Sequence, residues 1–333
     1  MDWSSNMHIS SLRLARVVPC IVLVFTMTLP VFAQGGAEAK AFIDSLSEAQ
    51  QSSVLRPIND PERFNWTFLP GLRDGIRLGD LDETQRAAFR AFLKNALSPQ
   101  GFRRIDLLRK VEAVSDRGGG VRTGYDEFWI RFYGEPTSRA WAWRIEGHHL
   151  VLNAVIVDGE VVSITPLFFG AAPVKGSETA AKEARGVEPL RAEDEAAVAL
   201  LASLGEKELA VASLAGSLPN EIVSGTNRSV QIPAKAGLSL ANMNDAQQAL
   251  LQSIIDGYLG TWPTAARARL ASRFKACDPA EVRFAIAGPT DRAKPHYWRI
   301  TSPVLVLEYA NGRPGAAHVH AVLRTLHGEF PEP

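Results

Sequence analysis

Histidine is scarce in this 333-residue chain, seven in all, and four of the seven stand in two tight pairs, His148-His149 and His318-x-His320. On a strand, residues i and i+2 project from one face, so His318 and His320 can offer two imidazole nitrogens to one metal ion. Adjacent strand residues face opposite ways. His148 and His149 can therefore both serve only where the chain leaves regular geometry, and Gly147 offers a bulge for that purpose. Glu146 is spaced to share a face with His148. Three imidazoles with a carboxylate suit zinc, copper or non-haem iron better than calcium or magnesium, and an open coordination position would activate water or oxygen. The candidate ligands are Glu146, His148, His149, His318 and His320. The plain alternative is a set of histidines hydrogen-bonded within packed strands.

Other chemistries have weaker signals. Arg144 and Arg299 recur within two Trp-Arg-Ile triplets, where a fixed guanidinium would either orient an anionic substrate or brace the sheet by stacking on Trp143 and Trp298. Trp141, Trp143, Tyr297 and Trp298 read as core. The chain has no G-x-S-x-G elbow, no H-E-x-x-H, no C-x-x-C and no calcium-loop pattern. Cys277 stands at a predicted helix end, where the dipole would raise its pKa, so a thiol nucleophile is not expected. The run Gly118-Gly119-Gly120 lacks the strand before and helix after that a phosphate loop needs. Lys+Arg and Asp+Glu are both 36, which leaves no basic field to hold nucleic acid. The expected partner is a small-molecule substrate or ligand.

The elements that must position these residues come from an internal duplication. WAWRIEGHHLVLN at 141–153 is echoed by HYWRITSPVLVLE at 296–308, GEPTSRA at 134–140 by GPTDRA at 288–293, and GIRLGDLDETQ at 75–85 by GLSLANMNDAQ at 237–247. Two copies follow, 63–170 and 217–325, joined by a helical connector at 171–216, preceded by an N-terminal helix within 34–62 and followed by a tail at 326–333. In each copy a helix pair leads into strands. Asp82 caps a helix to Leu97 and Ser98-Pro99 opens a second; Asn244 caps a helix to Leu259 and Trp262-Pro263 opens another. Strands are expected at 127–132, 139–146, 149–157 and 161–168, with an Asp158-Gly159 hairpin, and at 282–287, 297–301, 304–309 and 317–323. The fold class is α+β, with two repeats, each a helix pair followed by an antiparallel meander, packed about a pseudo-twofold. His148-His149 of the first copy aligns with Pro303-Val304 of the second, so each copy holds a different histidine pair, and such packing would let the pairs meet in one cleft.

Arg13 and Arg16, an apolar run from Val17 to Phe32 and the small-residue site ending at Ala33 read as a secretory signal peptide over residues 1–33. The run is too short, and too interrupted by Pro19 and Pro30, for a transmembrane anchor. A periplasmic or secreted location follows. Cleavage would remove Asp2, Arg13 and Arg16, turning the balance of 36 and 36 into a formal charge of −1, and would leave Cys277 as the one thiol, with no intrachain disulfide.

The segments W-x-W-R-x-E-G-H-H-L at 141–150, F-F-G-A-x-P at 168–173 and W-R-I-x-x-P-x-L-V-L-E-Y with A-x-H-V-H-A-V at 298–322 resemble the bacterial DUF3500 family over nearly the whole mature chain. GHHL and HVH are the most specific parts of that resemblance. It implies export and brings no assigned activity. The chain departs from the family pattern at its end, where only three residues follow Phe330. Two functions stay open from the residues: a metal-dependent hydrolase or oxidase using zinc, copper or iron, and a metal-free extracytoplasmic ligand-binding or accessory module.

Overall fold

A computed structural model of the chain describes Met1 and residues 35–113, 124–176, 182–230, 232 and 236–332. Apart from Met1, the signal segment expected over 1–33 lies outside the described residues, as does the glycine run at 118–120. Among the described residues there are eight α-helices: α1 (Gly36–Asp44), α2 (Glu48–Val54), α3 (Glu83–Ala96), α4 (Pro99–Glu112), α5 (Arg191–Ala202), α6 (Glu206–Ala212), α7 (Asp245–Leu259) and α8 (Thr264–Lys275). Strands of the first half are β1 (Leu55–Arg56), β2 (Ile76–Arg77), β3 (Phe128–Tyr133), β4 (Ala140–Gly147), β5 (Leu150–Val157), β6 (Glu160–Ser163) and β7 (Leu167–Ala171). Those of the second are β8 (Leu238–Ser239), β9 (Arg283–Ala287), β10 (His296–Thr301), β11 (Leu305–Asn311) and β12 (Val319–Thr325). No helix among the described residues is long and apolar enough to cross a membrane.

Capping chemistry sets the helix starts. Asp82 Oδ1 accepts from the Gln85 N–H at 2.8 Å while Gln85 Oε1 accepts from the Asp82 N–H at 3.1 Å, and Asn244 and Gln247 repeat the exchange at 3.0 and 2.8 Å. Ser98 caps α4 with Pro99 in its first turn. The single N-terminal helix expected after residue 34 is instead two helices, because Ser47 turns its side chain onto the Gln50 N–H and starts α2 afresh.

Among the described residues all strands join one mixed 12-stranded sheet, ordered β1-β3-β4-β5-β7-β12-β11-β10-β9-β8, with β2 on β3 and β6 on β5. Two expectations change here. The meanders are continuous with each other, because β7 and β12 pair antiparallel from Ala171↔Val319 to Leu167↔Leu323, and β1 adds a parallel edge on β3. The strand expected at 161–168 is two strands, β6 and β7, since Pro166 between them has no N–H for a ladder. The core order nevertheless reads alike from both ends: β3-β4-β5-β7 against β9-β10-β11-β12. Registers agree as well, Arg144 lying opposite Asn153 as Arg299 lies opposite Glu308. Gly75 and Gly237 both adopt positive φ, 103° and 113°, and both press against a strand carbonyl, of Ile130 and of Phe284, that a Cβ would strike.

Strand alternation sorts side chains into two layers. Trp141, Trp143 and Ile145 of β4, and Ala321 and Leu323 of β12, face the helices and join Phe42, Phe89, Phe92, Leu108, Ile254 and Trp262 in the main core. Val151, Phe168, Tyr297 and Val322 face the other way, under the extended segments carrying Trp66, Phe68 and Ile222. Fully buried residues such as Phe132 and Leu152 contribute about 2 kcal/mol each by transfer from water.

Candidate metal centre

β4 and β5 are joined by two residues only, His148 and His149, between the paired Gly147 and Leu150. His149 thus lies in a turn and not in the strand expected at 149–157, and its φ of 63° is left-handed. That conformation costs a non-glycine residue about 1–2 kcal/mol, and such strain collects at functional sites. It frees the two rings from strand alternation: they stack, with centroids 3.6 Å apart, and both Nδ1 atoms meet one carboxylate. His148 Nδ1 bonds Glu112 Oε1, and His149 Nδ1 bonds Glu112 Oε2 at 2.8 Å. Glu112 is the last residue of α4, which brings it from the helical layer to this end of the sheet.

β12 supplies the other half. His320 lies on the face of Val322, opposite Gly170 of β7 and Ala310 of β11, with its ring 4.9 Å from Phe68 and 5.2 Å from Phe168. His318 just precedes the strand and is half-buried. His149 Nε2 and His320 Nε2 each stand 2.9 Å from His318 Nε2. The Nδ1 of His320 meets both oxygens of Glu221, at 2.6 and 2.7 Å, and Glu221 in turn lies 3.8 Å from Arg313. The close approach depends on Gly170, whose backbone N–H donates to the His149 carbonyl at 2.8 Å.

Charge states follow from burial and partners. Burial pushes the His149 imidazole down to about 3, against the opposing pull of Glu112, and burial likewise lowers His320 despite Glu221. Burial alone would raise Glu112, but hydrogen bonds from His148 and His149 outweigh it and hold the carboxyl at about 2. Near neutral pH the site is therefore an ionised glutamate with neutral His149 and His320, the protonation that metal ligation needs. With Nδ1 protons donated to Glu112 and Glu221, the Nε2 lone pairs of His149 and His320 point inward toward His318. Among the described residues, His149, His318 and His320 form one group whose ligand atoms lie within 4.8 Å of one another, and Glu112, His148 and His149 form a second.

Residues 32–332 match the family described as Protein of unknown function (DUF3500). The chain belongs to DUF3500. No curated protein and no solved structure matches it.

In this DUF3500 chain the remaining expected site residues lie elsewhere. Glu146 is in neither group of converging ligand atoms; it projects with Arg144 toward the extended segment, where Oε2 accepts the Thr67 N–H at 3.4 Å. Its carboxylate misses the imidazoles because the turn, not a continued strand, carries His148. The Arg144 guanidinium is buried and donates to Asn153 Oδ1 at 2.7 Å, the Arg63 carbonyl at 2.5 Å and the Asn65 carbonyl. Arg299 is buried opposite Glu308 and beside Tyr297, at the register that matches Arg144. Burial raises the Cys277 thiol, in line with an inert cysteine. Two contributors, Glu112 and Glu221, escape sequence reasoning. Glu112 carries a signal, a charge next to Val111 on the apolar stripe of α4 set by Ile105 and Leu108; Glu221 lies in a stretch without periodicity.

Proposed function

We propose that this chain is an exported metalloprotein that holds one divalent transition ion, zinc, copper or iron, on the Nε2 atoms of His149, His318 and His320. One observation carries this reading: three imidazole nitrogens face one another at hydrogen-bonding range while two of the rings spend their Nδ1 protons on carboxylates. Lone pairs so directed repel unless a proton on His318 Nε2 or a metal ion lies between them. Glu112 supplies a negative charge beside neutral His149, which a metal ion would offset, and Glu221 is shared between His320 and Arg313. Glu112 and Glu221 fix ring tautomer and orientation, and His148 shares Glu112 and stacks on His149. Of the five ligands expected from sequence, Glu146 is dropped and His148 becomes a supporting group.

Three protein ligands leave a position for water or substrate, and an ion bound there acts as a Lewis acid that activates water or oxygen. This favours a metal-dependent hydrolase or oxidase working on a small molecule. We further infer that copies 63–170 and 217–325 descend from one unit and are related by a pseudo-twofold between β7 and β12. The mirrored strand order and the matching arginine registers support that inference. The signal-peptide pattern read from the sequence at 1–33 supports a periplasmic or secreted location.

Elemental analysis of protein purified without a histidine tag tests the proposal. One equivalent of transition metal per chain, lost in a folded His318→Ala, His320→Ala double variant, is the expected result. Wild-type protein that stays metal-free after incubation with zinc, copper and iron salts would overturn it.

A further inference from the structure

Helices α3 and α4 are joined by two residues, Leu97 and Ser98, and bring two matching stripes together. Phe89 and Leu93 of α3 stand four residues apart, as do Arg86 and Arg90; on α4, Phe102, Ile105 and Arg109 follow the same helical spacing. A cavity of about 200 Å3 lies between the stripes, its apolar wall made by Leu78, Leu81, Phe89, Leu93, Phe102 and Ile105. All of these but the half-buried Phe102 are buried.

Three arginines and one carboxylate also line the cavity. Arg86 is fully engaged: Nε donates to the Leu81 carbonyl at 2.9 Å, Nη2 to the Gly79 carbonyl at 3.2 Å and Nη1 to Asp126 at 3.2 Å. Arg109 shares Asp126 at 3.1 Å and lies over the Tyr125 ring. The carboxylate, Asp106, accepts from the Tyr125 hydroxyl at 2.9 Å and pairs with Lys110 at 2.9 Å. Arg90 differs. Exposed at the edge of the cavity, it lies over Phe102 at 4.8 Å, and exposed Lys94, one helical turn on, stands 5.9 Å from the same ring. Among the described residues neither cation has a carboxylate partner, and like charges at this spacing repel. Extending the echo of 75–85 in 237–247, Arg90 corresponds to Gln252 and Lys94 to Asp256, which bond each other at 3.0 Å. The one segment closes this position internally, and the other leaves two cations over an aromatic ring beside an apolar cavity.

We propose that the cavity between α3 and α4 binds a medium-chain carboxylic acid as its anion, the carboxylate held by Arg90 and Lys94 and the chain lying along Phe89, Leu93, Phe102 and Ile105. An anion there relieves the repulsion of the two cations, and the apolar wall excludes water from the chain. A cavity this small suits a short amphiphile better than a drug-sized ligand. The assignment stands apart from the metal reading. Protein in a carboxylate-free buffer is titrated calorimetrically with octanoate, with its neutral counterpart octanamide and with acetate. Octanoate binds saturably, octanamide about tenfold more weakly, the scale of one charge-assisted hydrogen bond, and acetate, which lacks the chain, gives no saturable heat over the same range. The double variant Arg90→Gln, Lys94→Gln, changed at two exposed positions, brings octanoate down to the octanamide level and leaves octanamide unchanged. Three results would overturn the assignment: no saturable heat from octanoate, octanamide or acetate binding as tightly as octanoate, or full octanoate affinity in the double variant, as for a carboxylate held at the histidines instead.

Discussion

A methyl group built on Gly170 would stand 2.7 Å from Cδ2 of His149 and 3.0 Å from Cδ2 of His320, closer than carbon atoms pack. The bare backbone of β7 is what lets rings from the two halves of the sheet approach. Gly170→Ala removes no ligand atom, yet should displace both rings at an overpacking cost of about 1–3 kcal/mol. The expected outcome is roughly tenfold or greater weakening of metal affinity in a chelator competition, since 1.4 kcal/mol is tenfold. Unchanged affinity would mean the rings are free to move.

Glu112→Gln keeps the shape of the side chain and removes the charge that fixes His148 and His149. Loss of such a supporting carboxylate should weaken metal binding about 10- to 100-fold. Glu221→Gln should cost less, because Glu221 is 37% exposed where Glu112 is 2% exposed and water can take its place. The ratio of the two affinities, measured by the same competition, checks the order.

Helix caps and most strands were legible in the residues because each rests on local chemistry: Asp82 with Gln85, Asn244 with Gln247, and alternation along β4 and β12. The histidine turn was not. Alternation correctly places Glu146 beside Arg144, but no periodic pattern reveals that the chain reverses at His148-His149 with a left-handed histidine. Glu112 and Glu221 were hidden for another reason. Each reaches its imidazole across a long stretch of sequence, 36 residues or more, and pairing over such a loop is decided by how helix and sheet stack. Arg144 and Arg299 stand at matching strand registers, opposite Asn153 and Glu308.

The ion pair of His296 and Asp194 should make stability depend on pH in a defined window. Burial lowers the His296 pKa, but Asp194 outweighs it and raises the net value above 6.5; this contribution is complete below 6.5 and is lost as pH rises through the raised value. Burial raises Asp194, but His296 and Arg292 outweigh it and depress it below 3.8; that contribution is present above 3.8 and is lost as pH falls through the depressed value. Denaturant melts of wild type and His296→Ala should therefore differ more at pH 5.5 than at pH 9. An equal difference at both would show that the pair is not ionic.

Arg144→Met replaces a guanidinium that ties Asn153 to the carbonyls of Arg63 and Asn65. Several buried acceptors lose their donor, so a loss of roughly 2–4 kcal/mol is expected in chemical denaturation. Metal content per folded chain should stay at the wild-type level. A stable variant with lost activity would instead return Arg144 to the reacting centre.

X-ray absorption at the edge of the bound metal tests the three-imidazole centre most directly. The account predicts a first shell with three imidazole nitrogens at about 2.0–2.1 Å, falling to two in His318→Ala. A shell built from sulfur or oxygen alone, or one unchanged by that substitution, would contradict it.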